Sequence, residues 1–114
     1  MKATFSGAGP QTLPSPSLHP TDPGSQWQQH QWHLYISGTW STSTSATLQV
    51  QYSPDAAFVA DGSKRWFQPA SLLLSGTGAV PLAGADVWFN ARFRSIQFVL
   101  TGGDAGTALT VEVV

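Results

Sequence analysis

The sequence predicts an all-β domain, an antiparallel β-sandwich, jelly-roll or barrel that follows an extended Pro-rich N-terminal arm. Three observations predict it. No ten-residue window carries apolar residues at helical spacing without a Gly, Pro or Ser/Thr cluster interrupting it. Several short runs alternate apolar and polar residues with the period of two that puts one face of a strand on a core. Turn signals separate these runs at intervals of about 8 to 12 residues, the spacing of small antiparallel β domains.

A chain of 114 residues fits one domain, and burying roughly 65 per cent of its unfolded surface supplies a core without staples. The absence of cysteine excludes a disulfide framework, a thiolate metal site and a thiol nucleophile. The net charge of -1 offers no electrostatic footprint for nucleic acid or for an anionic membrane surface. Only 10% of the residues are charged, against about 25 per cent in an ordinary soluble domain. Ser, Thr and Gln take their place, and a neutral polar surface opposes association little, which suits permanent assembly. No apolar run of signal-peptide length follows Met1-Lys2, and runs such as Phe98-Val99-Leu100 are too short to span a bilayer. The expectation is a soluble protein without a secretory signal.

Residues 1–26 hold Pro10, Pro14, Pro16, Pro20 and Pro23 among Ser, Thr and Gly. Proline's fixed φ and missing N–H argue against a helix or a central strand, so this stretch reads as an arm and 27–114 as the single β-sandwich domain. A Pro-rich arm is already extended and loses little entropy when laid along a neighbour. Phe5, Leu13 and Leu18 punctuate it as candidate interface residues.

The first strand runs over 27–36, with Trp32, Leu34 and Ile36 on one face and His33, Tyr35 and Ser37 on the other. His30 and His33 then point in opposite directions, which removes the i, i+3 chelation that a helix would allow. Residues 37–45 form a polar connection, a loop or an edge segment. Ala46, Leu48, Val50 and Tyr52 follow on one face of a half-buried strand, alternating with Thr47, Gln49, Gln51 and Ser53. The stretch 34–55 thus reads as two alternating segments joined by a turn, closed where Pro54 cannot donate to a ladder and Asp55 favours a turn.

A loop at 56–64 contains Asp61-Gly62, a dipeptide that favours a two-residue hairpin turn. Residues 65–68 read as a short strand, 70–74 as another, 75–78 as a Gly-rich loop and 85–90 as a strand. In the strand at 92–101, Arg94, Ile96, Phe98 and Leu100 alternate with Phe93, Ser95, Gln97 and Val99, which places it centrally. Residues 102–106 turn the chain into a last strand, 107–114, which groups Leu109, Val111 and Val113. The two final strands read as a hairpin.

The strand ending in Ile36-Ser37-Gly38-Thr39-Trp40, the run from Ala46 to Asp55, the pair Trp66-Phe67 and the closing strands around Gly102-Gly103 carry a resemblance. Over roughly 34–114, the chain resembles small all-β virion proteins of tailed bacteriophages, which include capsid decoration or cement proteins and head or tail accessory proteins. The resemblance implies a sandwich or jelly-roll with no catalytic activity and no cofactor. It implies partners among major capsid or tail proteins, and a place in the virion after synthesis in the host bacterial cytoplasm. Those relatives often have a Gly-rich run with a Trp soon after the Pro-Asp, whereas this chain first inserts 56–64.

The residues themselves support no catalytic constellation. Asp22, Asp55, Asp61, Asp86, Asp104 and Glu112 form no pair flanked by the aromatic residues a glycosidase needs. His19, His30 and His33 lack a nucleophile pattern, and no Gly-x-Ser-x-Gly elbow occurs. Five tryptophans are many for this length. With Trp32 in the core, Trp27, Trp40, Trp66 and Trp88 become candidate interface rings, because exposed aromatic surface marks a partner. Two functions follow. The first is a non-enzymatic virion structural protein, a homo-oligomer that binds the shell through its arm and its tryptophans and binds neither nucleic acid nor membrane. The alternative is a carbohydrate- or receptor-binding β-sandwich module, whose rings would stack on sugars.

Overall fold

The computed structural model describes residues 2–18, 30–56, 58–68, 73–80, 87–91 and 95–113. They form one antiparallel, nearly closed barrel-like sheet of seven strands: β1 (Lys2–Ser6), β2 (Gln11–Leu18), β3 (His30–Ser53), β4 (Leu73–Ala79), β5 (Val87–Ala91), β6 (Ser95–Gly102) and β7 (Ala108–Val113). Among the described residues the only helical piece is the 3-10 turn Asp61–Ser63.

The sheet is organised by β3, a single strand of 24 residues. Its first part pairs with β7 on one side (Leu34↔Val113 to Thr39↔Ala108) and with β5 on the other. Its second part pairs with β6 (Ala46↔Gly102 to Ser53↔Ser95), with β4 along the opposite edge. Residues 41–45 carry the chain between these two pairings, and the register with β4 shifts across them. Two rows of strands result, β1-β7-β3-β5 and β2-β6-β3-β4, with β3 running through both. Phe5, Leu34, Ile36, Leu109 and Val111 from the first row and Leu48, Val50, Ile96, Phe98 and Leu100 from the second join one buried cluster.

The predicted alternation holds among the described side chains of β3 at 34–36 and 46–50 and of β7 at 109–111, whereas β6 is buried on both faces over Ser95–Phe98, as its central place predicts. The pairing differs. The stretch 34–55 is not two segments turned back on each other: the Ser/Thr run at 41–45 stays extended because the two parts of β3 find other partners. Likewise β6 and β7 share no ladder among the described residues, and each pairs with β3 instead. The Gly-rich run 75–78 lies within β4, while 65–68 contributes only an isolated bridge, Phe67↔Tyr52.

The largest correction concerns the N-terminus. Residues 2–18 are not an arm: Lys2–Ser6 pairs with β7 and Gln11–Leu18 with β6. In β1, Ala3 and Phe5 are buried while Lys2, Thr4 and Ser6 are exposed, a strand period too short to stand out in the sequence. Proline is excluded from central strands and tolerated at edges, and β2, which bears Pro14 and Pro16, pairs only with β6 among the described residues. The rest of the predicted arm, 19–26, lies outside the described residues.

Gly38 is required where β3 passes β7. Its φ of +109° is a conformation that L side chains rarely adopt, and a Cβ there would collide with the Ala108 carbonyl oxygen.

Candidate binding loop

Beyond Ser53 the chain leaves the β3 ladder, and the described residues of 54–68 are tied down mainly by their own side chains. Pro54 stops the ladder. The Asp55 carboxylate then closes the base of the loop, accepting from the Arg65 guanidinium (Nη2 to Oδ1 2.6 Å, Nε to Oδ1 3.1 Å), from the Arg65 backbone N–H and from the Ser53 hydroxyl. These bonds, the Arg65 side chain first, lower the Asp55 pKa to about 2. Within the loop, Lys64 Nζ donates to Asp61 Oδ1 at 2.7 Å with its side chain buried, and stands 6.0 Å from the Trp66 ring centre. The Trp66 indole N–H donates to the Asp61 carbonyl at 2.9 Å. Phe67 and Tyr52 exchange two backbone bonds of 2.8 and 3.1 Å and stack at 5.7 Å.

A loop fastened in this way presents Phe58, 92% exposed. Holding an apolar ring in water is unfavourable by the transfer free energy of its area, unless a partner covers it. Because these bonds already fix both sides of the loop at Asp55 and at Asp61 to Trp66, a partner that takes the ring has less ordering entropy to overcome. Phe67, 48% exposed, adds a second apolar surface at the foot of the loop.

The predicted interface residues are distributed otherwise. Phe5 is wholly buried, and Leu13 is partly buried against the same core, so neither is a bead on an arm. Leu18 pairs with Ile96 through its backbone, and its side chain lies outside the described residues. Trp40 is 5% exposed and packs against Gly76, where a Cβ would come within 2.5 Å of the indole nitrogen. Trp66 is half-buried and committed to Asp61. Trp27 lies outside the described residues. Trp88 sits in β5 opposite His33, with its side chain outside them. Thus Trp40 is a core ring, corrected from an interface one, and Trp66 builds the loop that displays Phe58. The signal available in the sequence was the loop at 56–64, whose only aromatic residue is Phe58.

A second carboxylate works at the bend of β3. Asp104 accepts from the Thr42 and Ser43 backbone N–H groups, both of their hydroxyls and the Gly106 N–H, at 2.8 to 3.2 Å. These donors, the Ser43 N–H first, hold its pKa far below the usual carboxylate range. The buried Thr107 hydroxyl donates to the Trp40 carbonyl at 2.7 Å and accepts from the Asp104 N–H at 3.0 Å. The bend is thereby joined to the β6–β7 turn. Both carboxylates spend their lone pairs on holding backbone in place. Among the described residues no group of three or more His, Asp or Glu side chains gathers as a metal site.

No family model matches the chain, and neither a curated protein nor a solved structure matches it.

Proposed function

We propose that the chain is a non-enzymatic structural protein of a tailed-bacteriophage particle, a decoration or cement protein that binds the shell and stabilises it. The observation that carries the reading is strand order. With the two parts of β3 counted separately the strands number eight, and the rows read first-eighth-third-sixth and second-seventh-fourth-fifth. Among the described residues this order supports reading the sheet as a jelly-roll, an architecture common in viral capsid proteins and also in lectins. The step from fold to particle is an analogy of architecture. It is joined by the resemblance of 34–114 to phage virion proteins and by the scarcity of charge. The surface that meets the shell is the loop 54–68 with Phe58 at its centre. Anchoring one such ring contributes on the order of 1 to 3 kcal/mol, repeated over every copy on a symmetric particle.

Mass spectrometry of purified particles, made from the genome that encodes the chain, tests this. The chain is expected at a copy number in fixed proportion to a capsid or tail protein; particles that lack it overturn the proposal. The lectin side of the same architecture supports the second reading, a carbohydrate-binding module. Strong binding to one sugar class on a glycan array, lost in Phe67→Ala, favours that reading.

A further inference from the structure

The rows end in four outer strands, and three of them carry a feature that hinders further pairing. β1 opens with Lys2, β2 contains Pro14 and Pro16, and the described residues of β5 are flanked in the sequence by Asp86 and Arg92. Charge and proline are among the devices by which proteins keep sheet edges from recruiting another strand. β4, Leu73–Ala79, has neither: its sequence LLSGTGA is uncharged and free of proline. Among the described residues only β3 pairs with it. Its outer face is exposed at Leu73, Ser75, Thr77 and Ala79, with Leu73 at 49%, and Leu74, packed on the core, is only partly buried.

We propose that β4 is a homodimer edge, pairing antiparallel with β4 of a second copy across a twofold axis. A second copy is the partner that suits this edge. An antiparallel pair about a twofold is self-complementary for any strand, provided that no side chain repels its own image. Neither β4 nor the neighbouring β3 from Leu34 to Ser53 carries a charge to do so. The regular part of β4 is 73–77, since Gly78 has a φ of +76°. Centring the axis on its middle residue sets Leu73 against Thr77, Leu74 against Gly76 and Ser75 against Ser75. The mate covers the exposed part of Leu74 and satisfies the outward backbone groups of 73–77. The pairing goes beyond the particle reading by naming a surface between copies, and it stands if that reading falls.

A position that faces its own image doubles any charge placed there, and like charges directly opposite each other are destabilising. Light scattering on the full-length chain is expected to give the mass of a dimer or of an oligomer containing it. Ser75→Lys and Ser75→Glu, both at an exposed position, are each expected to weaken self-association at least tenfold. Mixing the two variants is expected to restore the dimer. Far-UV circular dichroism checks that each variant remains folded. Ser75→Cys supplies an independent readout in a chain without cysteine, a disulfide-linked dimer on mild oxidation. A monomeric wild-type chain, aggregates without a finite mass, a Ser75→Lys chain of unchanged mass, or a mixture that stays monomeric overturns the proposal.

Discussion

Residues 2–18 and 54–68 look alike as sequence and end as opposites. Both are irregular stretches bearing proline, glycine and serine, with isolated aromatic residues. Phe5 is 0% exposed and Phe58 is 92% exposed. The difference lies in what each segment had available to pair with. β1 and β2 lie on β7 and β6, strands from the other end of the chain, and the ladders carry Phe5 into the core. The loop meets the sheet through the Tyr52–Phe67 bridge, and otherwise closes on itself through Asp55, Arg65, Asp61, Lys64 and Trp66. An apolar residue in a Pro-rich stretch therefore does not mark a docking arm. A distant edge captures the segment as core, and without one local bonds shape it into a presenting loop.

Phe5→Ala is the most severe break of that contrast. Emptying a wholly buried aromatic site should lower stability by about 3 to 5 kcal/mol in urea denaturation, whereas a flexible arm would register nothing. For the same reason deleting 1–18 should unfold the chain rather than merely release it from a partner. Next comes Thr107→Val, which removes the hydroxyl that bridges the Trp40 carbonyl and the Asp104 N–H. Leaving those buried groups unpaired should cost about 1 to 3 kcal/mol by thermal or chemical melting.

Acid separates the two carboxylates. Both have folded-state pKa values below the ordinary 3.8, so the stability they supply is fully present above that value and is lost as pH falls through the folded value. Asp55 should give up its share between roughly pH 4 and 2, and Asp104 should continue below that. Urea midpoints measured from pH 6 downward should show a shallower acid slope in Asp55→Asn and in Asp104→Asn than in the wild type. A parallel slope in either variant removes that carboxylate from the account. The smallest effect on stability is expected of Phe58→Ser, within about 0.5 kcal/mol of the wild type. Its particle or partner binding, followed by co-sedimentation, should fall by about tenfold or more. If stability falls instead, Phe58 is packed and the contrast with Phe5 fails.

Much of the strand content was legible. Leu34, Ile36, Leu48 and Val50 were placed inward and Leu109 and Val111 grouped on one face by period two alone, the strand at 92–101 was placed centrally by its two apolar faces, and Ile96, Phe98 and Leu100 are buried with the others. The end of β3 was legible at Pro54 for the same local reason. Partners were not legible, because alternation fixes which face of a strand is wet and says nothing of which strand lies beside it. The polar run 41–45 looked like a turn since nothing local shows Asp104 gathering it from 62 positions away. For the site, the tryptophans drew notice by their number. Trp40 is held inside by Gly76 and Trp66 is bound to Asp61, so the most exposed ring among the described residues is Phe58, in the loop at 56–64.

The sequence by itself determined the class of the fold, the inward faces of its main strands and the neutral surface, because those properties depend on residues one or two positions apart. Tertiary structure decided that 2–18 are strands, that β3 runs unbroken through its bend and that Phe58 stands in water. Each of these depends on pairing between segments far apart in the chain, where an edge already formed selects among stretches that are locally equivalent.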